Sequence, residues 1–272
     1  MLTETGVKAY GQGIPSEAEL RRLDRAVEII RVRYQRWTMA RVRRILRETR
    51  EDLIALEDPD EAGFLAAVMR HDRELESALA RMMAGIYPMA ESLVIPDDVI
   101  KAMTVPEHKA EDARIWALVS RIIGASVQDI DKTTLHAVRQ AYIQSAGDVQ
   151  IFRRLLTESP AFDAARARTI AVTETNIGIN DALYRAADAV AQPERERIMI
   201  WRTTMRLNVR PTHQVMEGVT VPYGDFFHVP LREGGYDLML YPGDTMHGAH
   251  AENIVNCYCK AFPRYVARYR RI

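Results

Sequence analysis

Apolar residues near the start of the chain advance by alternate steps of three and four. Leu20, Leu23, Val27, Ile30, Tyr34 and Trp37 form such a series, the seam of a helix that packs on another helix. The series shifts register near Met39 and resumes through Val42, Ile45, Thr49, Leu53 and Leu56. Pro15, then Ser16 with Glu19 three residues on, reads as a capping box at its start, and Asp58-Pro59 as its stop. A helix of that extent is about 60 Å long at 1.5 Å per residue, a rod suited to an extended or oligomeric structure.

Asp58, with Pro59 and Glu61 behind it, is the expected cap of a second helix reaching about Ile86. Residues 87–109 hold Pro88, Pro96 and Pro106 and read as a linker with one short helix after Pro96. Helical periodicity returns over roughly 107–123, 133–146 and 149–158, and Ser159-Pro160 opens a last long helix toward Ala191. After Pro193 the period changes to two: Ile198 and Ile200 face one way, Met199, Trp201 and Thr203 the other. Glycines, prolines, aromatics and short β-like runs follow. The expected fold class is a mainly α N-terminal region with long helices, followed by a small α+β C-terminal module. The expected divisions are a long-helix arm and Pro-containing linker (1–110), a helical domain (111–192), a compact α+β Cys/His module (193–263) and a basic tail (264–272) containing Arg264, Arg268, Arg270 and Arg271.

Composition narrows the function classes. The 272 residues carry 37 basic and 37 acidic side chains, so neither a globally basic nucleic-acid binder nor an acidic tail protein is indicated. Net neutrality favours a protein that lives in an assembly. The two cysteines, Cys257 and Cys259, are too few and too close for a disulfide framework, which points to a reducing compartment. No stretch has the apolar length of a membrane span or a signal core, so the expectation is a soluble protein made in a cytoplasm, with no membrane partner.

Two features carry candidate chemistry. Between Arg21 and Arg50 stand eleven arginines and three acids, Asp24, Glu28 and Glu48. Arg31, Arg33, Arg36, Arg41, Arg43, Arg44 and Arg47 are the candidates for contact with DNA phosphates or an acidic partner; the competing reading is a solvated face paired with acids elsewhere. The second feature is a cluster in which His213, His247, His250, Cys257 and Cys259 are candidate metal ligands, with His228 nearby. Zinc takes about four N or S ligands, and two cysteines one residue apart on a strand would share a face. No C-x-x-C or H-x-x-x-H spacing is present, and the competing reading makes the cysteines small buried hydrophobes. Templates for serine hydrolases, P-loops and H-E-x-x-H metalloproteases are absent.

The same region carries a family resemblance. Ala167-Arg168-Thr169-Ile170-Ala171-Val172-Thr173-Glu174 followed by Asn180, then Trp201, Thr203, Val209, Arg210, His213 and Gly218, then Pro242-Gly243-Asp244, Glu252 and Asn256-Cys257-Tyr258-Cys259, resembles the signature of the phage Mu protein F-like family of head morphogenesis proteins. The elements occur in the family's order from about 165 to 263. Thr173, Glu174, Asn180, Trp201, Arg210, His213, Gly218, Asn256, Cys257 and Cys259 are the residues matched to it. Arg206, Asn208 and Tyr258 depart from the family's usual residues, so no catalytic role is carried over.

The resemblance implies a structural minor head protein of a tailed bacteriophage, without catalysis. It would act in head morphogenesis at or near the portal vertex, in the virion. The implied partners are the portal protein, the major capsid or scaffold protein, and double-stranded DNA bound non-specifically. No cofactor is implied, and a structural zinc is the one group the Cys/His cluster would take. The competing readings are a phage-encoded nuclease or transferase-like enzyme and a zinc-stabilised DNA-binding module.

Overall fold

Apolar periodicity and caps set the order of elements in the computed structural model, which describes residues 17–94, 105–188, 195–204 and 209–267. The Ser16 cap, the short helix after Pro96, the departures at Arg206 and Asn208, and the tail arginines Arg268, Arg270 and Arg271 lie outside the described residues. The elements are α1 (Glu17–Ile54), α2 (Glu61–Met69), α3 (Asp72–Val94), α4 (Val105–Ser145), α5 (Val149–Glu158), α6 (Ala164–Ala186), β1 (Arg195–Arg202), α7 (Pro211–Gln214), β2 (Thr220–Pro222), β3 (Phe227–Pro230), β4 (Tyr236–Met239), α8 (Ala251–Ile254) and β5 (Lys260–Ala267). Long helices thus precede a small module of short antiparallel strands, the expected class. No described helix is long and apolar enough to cross a membrane.

Helix boundaries differ from the sequence reading in several places: the second helix, expected to reach about Ile86, is divided into α2 and α3, and the last long helix starts at Ala164 rather than at Ser159-Pro160 and ends at Ala186. Asp60, not Asp58, caps α2, its carboxylate accepting from the Gly63 N–H at 2.7 Å. Pro88 lies inside α3 rather than in a linker. The two helices expected over 107–123 and 133–146 are one, α4. Thr133, the expected start of the second of these, lies inside α4, and its hydroxyl and that of Thr134 bond back to the Ile130 carbonyl, a contact a threonine can make without leaving the helix.

The chain folds into two compact units, divided after Val32, Ala84, Glu111 and Thr175, each within a helix. One unit contains the described residues of Arg33–Ala84 and Asp112–Thr175. Its core is apolar and helical, with Leu53, Phe64, Leu79, Ile122, Phe152 and Leu156 fully buried. Phe64, Tyr142 and Phe152 form a ring cluster with centroids 5.3–5.9 Å apart. Arg153 closes the end of α1 by donating to the carbonyls of Ile54 and Leu56, which the helix itself leaves unpaired.

The other unit contains the described residues of Met1–Val32, Gly85–Glu111 and Asn176–Ile272. Its sheet has the order β2-β1-β5, all antiparallel, with β1 and β5 paired from Arg195↔Ala267 to Arg202↔Lys260. The alternation expected in β1 holds. Ile198 and Ile200 join Val266 on one face, while Met199 and Trp201 enter the main core on the other. That core also takes Tyr184 of α6, Phe227 and Val229 of β3, Met239, Cys257 and Cys259. A second pair of strands, β3 and β4, forms a hairpin. The N-terminal part of α1 belongs here too: Arg202 pairs with Glu17 at 2.9 Å, and Lys260 with Asp24 at 3.4 Å.

Candidate metal centre

Two turns shape the region around the cysteines. Gly218 has φ +75° and donates its N–H to the Trp201 carbonyl, a conformation that suits glycine. Gly243 has φ +87°, and a Cβ there would come within 3.1 Å of Ile177 Cγ1 of α6, so the Pro242-Gly243-Asp244 turn packs directly on the helix. Asp244, fully buried, holds the turn by accepting from the Leu240 and Met246 N–H groups.

From α6, Asn180 reaches the segment ahead of β5. Its Nδ2 donates to the Cys259 carbonyl at 3.0 Å, and its Oδ1 accepts from the Ala261 N–H at 3.0 Å. Asn176 adds a second donor to the Cys259 carbonyl at 3.2 Å. The helix amides therefore fix the backbone on which both cysteines are carried. A strand over 256–260 would put both cysteines on one face, but strand begins only at Lys260, and the segment before it is entered by Asn256 at φ +55°. Alternation still turns both cysteines inward.

His213, in the short helix α7, meets them. Its Nδ1 lies 3.5 Å from Cys257 Sγ and 3.4 Å from Cys259 Sγ. All three residues are buried, and their ligand atoms lie within 4.8 Å of one another. The Cys259 N–H points at Cys257 Sγ at 3.4 Å. A hydrogen bond from the Cys259 side chain holds the Cys257 thiol well below the usual range despite burial, and His213 and the Cys259 N–H add to the effect. The same bond, with burial, pushes Cys259 up.

A chain of hydrogen bonds orients the imidazole. His213 Nε2 contacts Asn253 Oδ1 at 3.0 Å; Asn253 Nδ2 donates to Asp237 Oδ2 at 2.8 Å; Asp237 Oδ1 meets His250 Nδ1 at 2.6 Å. Burial raises the Asp237 carboxyl, but the bonds from His250 and Asn253 outweigh it and leave it lowered. The bond from Asp237 raises His250 in return.

Of the five candidate ligands, the structure brings together His213, Cys257 and Cys259. His250 stands at the outer end of the chain just described. His247 is held elsewhere, 2.7 Å from Asp244 Oδ2 and edge-on to Phe226. Both rings are turned by carboxylates of a hairpin and a turn, so they do not reach the sulfurs. His228 stacks on Tyr236. Trp201 packs edge-on to His213, and Arg210 donates to the Val255 carbonyl. Asn253, Asn176 and Asp237 were not singled out from sequence; their signal is only that short polar side chains are needed beside buried ligands. Thr173 and Glu174 belong to the other unit, where Glu174 accepts from Ser126 Oγ at 2.6 Å. Burial raises the Glu174 carboxyl to about 7, Ser126 opposing and Asp129 adding to the rise.

The seven arginines do not act as one surface. Arg31 is buried, bonded to Glu28 at 2.8 Å and stacked over the Tyr258 ring at 4.6 Å, so it serves the fold of its own unit. Arg44 is half-buried and paired with Glu74. Arg33, Arg36, Arg41, Arg43 and Arg47 are exposed. Arg41 lies over Trp37, Arg33 over Tyr34, and Arg47 stands 3.7 Å from Glu51.

This chain is similar to a Bacillus subtilis protein, YqbB, described as uncharacterized, with 26% identity over 123 residues. The match spans 44% of this chain and 38% of that protein. No family model matches, and no solved structure matches.

Proposed function

We propose that this chain is a minor head protein of a tailed bacteriophage that acts structurally in head morphogenesis, at or near the portal vertex. One observation carries the reading. Asn180, Trp201, Arg210, His213, Gly218, Cys257 and Cys259, drawn from separate stretches of the Mu F-like signature, meet in one unit, and each has a packing or hydrogen-bonding task there.

In this reading the signature specifies a docking module, not a reaction centre. Its polar members bond to backbone, to one another or to neighbouring side chains such as Asn253 and Ser126. Partners follow from the exposed chemistry: a portal protein first, then major capsid or scaffold protein, and packaged double-stranded DNA through the exposed arginines of α1. The protein would reside in the virion, in the capsid interior or at the portal vertex.

Mass spectrometry of purified particles and co-purification with the portal protein from infected cells test the proposal. Presence in particles together with portal association is the expected result. Absence from both particles and assembly intermediates overturns it.

A further inference from the structure

We propose that His213 Nδ1, Cys257 Sγ and Cys259 Sγ bind a zinc-class divalent ion, with a fourth ligand drawn from solvent. The inference stands apart from the head-protein reading and survives its failure.

Proton accounting at the imidazole gives the first argument. Asn253 Nδ2 donates to Asp237, so its Oδ1 is the atom that faces His213 Nε2. That nitrogen must therefore carry the ring proton, and Nδ1 presents one lone pair to two sulfurs at 3.4 and 3.5 Å. One lone pair accepts one S–H, so in a thiol arrangement only one sulfur bonds the ring and the other is left to bond its neighbouring sulfur. An ion bonded to all three atoms uses the imidazole lone pair and engages both sulfurs at once. It also uses the Cys259 N–H, which points at Cys257 Sγ as it would at a bound thiolate.

Distance gives the second argument. Around tetrahedral zinc, with bonds of about 2.3 Å to sulfur and about 2.0 Å to nitrogen, N and S ligands stand roughly 3.5 Å apart. The two observed separations have that value without any movement of the chain. Two soft sulfurs and an imidazole select zinc over magnesium or calcium, which prefer oxygen.

The third argument is the open side. The described residues supply three ligands. The trio borders a cleft of about 130 Å3, also lined by Thr204, Arg210 and Tyr258, which has room for water at the fourth position. The chain Asn253–Asp237–His250 is then the outer support of a metal-bound histidine, the arrangement that fixes a ligand's tautomer and orientation.

The test is metal analysis of the full chain purified without chelator, followed by competition for zinc against a chromophoric chelator. About one zinc per chain is expected. Cobalt replacement should give the intense visible bands of a tetrahedral site and a thiolate-to-cobalt band in the near ultraviolet. His213→Ala, Cys257→Ser and Cys259→Ser should each abolish stoichiometric binding, whereas His247→Ala should retain it. Asn253→Ala should weaken affinity by about 10- to 100-fold, as loss of an outer hydrogen bond does. The unaltered chain decides the matter even where a ligand variant fails to fold: no zinc on purification and none taken from the chelator overturns the proposal. So does full zinc retention by Cys257→Ser or Cys259→Ser.

Discussion

The two units of this molecule are stabilised in different ways. In the helical unit, Phe64, Leu79, Ile122, Phe152 and Leu156 fill the interior, and shape and volume matter more than any one contact. In the unit that holds the cysteines, Asn176, Asn180, Asp181, His213, Asp237, Asp244 and Asn253 are buried as well, most of them in hydrogen bonds that allow one arrangement. Asp181 is the extreme case: Tyr87 and Tyr241 donate to it, and Arg185 clamps it with two nitrogens. An apolar core tolerates exchange of like for like, whereas a satisfied polar network is costly to break at any point. That difference fits one unit that serves as a framework and another whose site geometry must be held.

The largest expected effects test the contrast directly. Phe152→Ala should cost about 4 kcal/mol in chemical denaturation, because the ring is fully buried between Phe64 and Tyr142. Phe152→Leu, which keeps most of the volume, should cost under about 1.5 kcal/mol. Equal losses from the two would show that this core, too, depends on specific geometry. In the other unit Asn180→Ala should cost about 3 kcal/mol, since the Cys259 carbonyl loses one of two donors and the Ala261 N–H loses its acceptor. Asn180→Leu, similar in volume, should do no better. Recovery of stability with leucine would show that packing, not hydrogen bonding, is what Asn180 supplies.

Glu174 is an exception to the apolar rule in the helical unit. Burial raises its carboxyl to about 7, above the ordinary 4.5, so the folded chain holds that proton more tightly than the unfolded one. Its contribution is therefore fully present below about pH 4.5 and is lost as pH rises toward 7. At about 1.4 kcal/mol per unit, the loss amounts to roughly 3 kcal/mol by pH 8. Glu174→Gln keeps an acceptor for Ser126 and removes the charge. Denaturation measured from pH 4 to 8 should show the variant matching the parent at the acid end and exceeding it at the alkaline end. Parallel curves across that range would mean that Glu174 is not held neutral.

Much of this was legible in the sequence, and what was not has physical causes. The seam of α1 is readable because Val27, Ile30, Val42, Ile45 and Leu53 face inward with helical period, and each is buried. The two sides of β1 are readable because a strand alternates strictly. Cys257 and Cys259 carry their own signal, since both face inward from one extended segment. What His247 and His250 do depends instead on Asp244 and Asp237, whose positions are set by a turn and a hairpin that sequence spacing does not reveal. Asn253 gives no warning at all, because one amide in a short helix acquires a role only when His213 folds against it. Arg31 shows the same limit: eleven arginines look alike in sequence, and only packing over Tyr258 separates this one from the exposed ones.

The smallest stability effects should come from those exposed arginines, and there the contrast reverses, with binding rather than folding at stake. Taking 100° per residue, Arg33, Arg36, Arg43 and Arg47 fall within about 80° of one another around α1, over a length of roughly 21 Å. All four are exposed, and Arg36 and Arg43 have no ion-pair partner among the described residues. Replacing the four with alanine should change stability by less than about 0.5 kcal/mol per site. If the face meets DNA phosphates, the parent should bind random duplex with an affinity that falls as salt rises. The variant's slope of log affinity against log salt should then be shallower by about 3 to 4. Replacing Arg31 instead should unsettle the fold, because its charge is buried against Glu28. A parent with no salt-dependent duplex binding would remove DNA as a partner of this face.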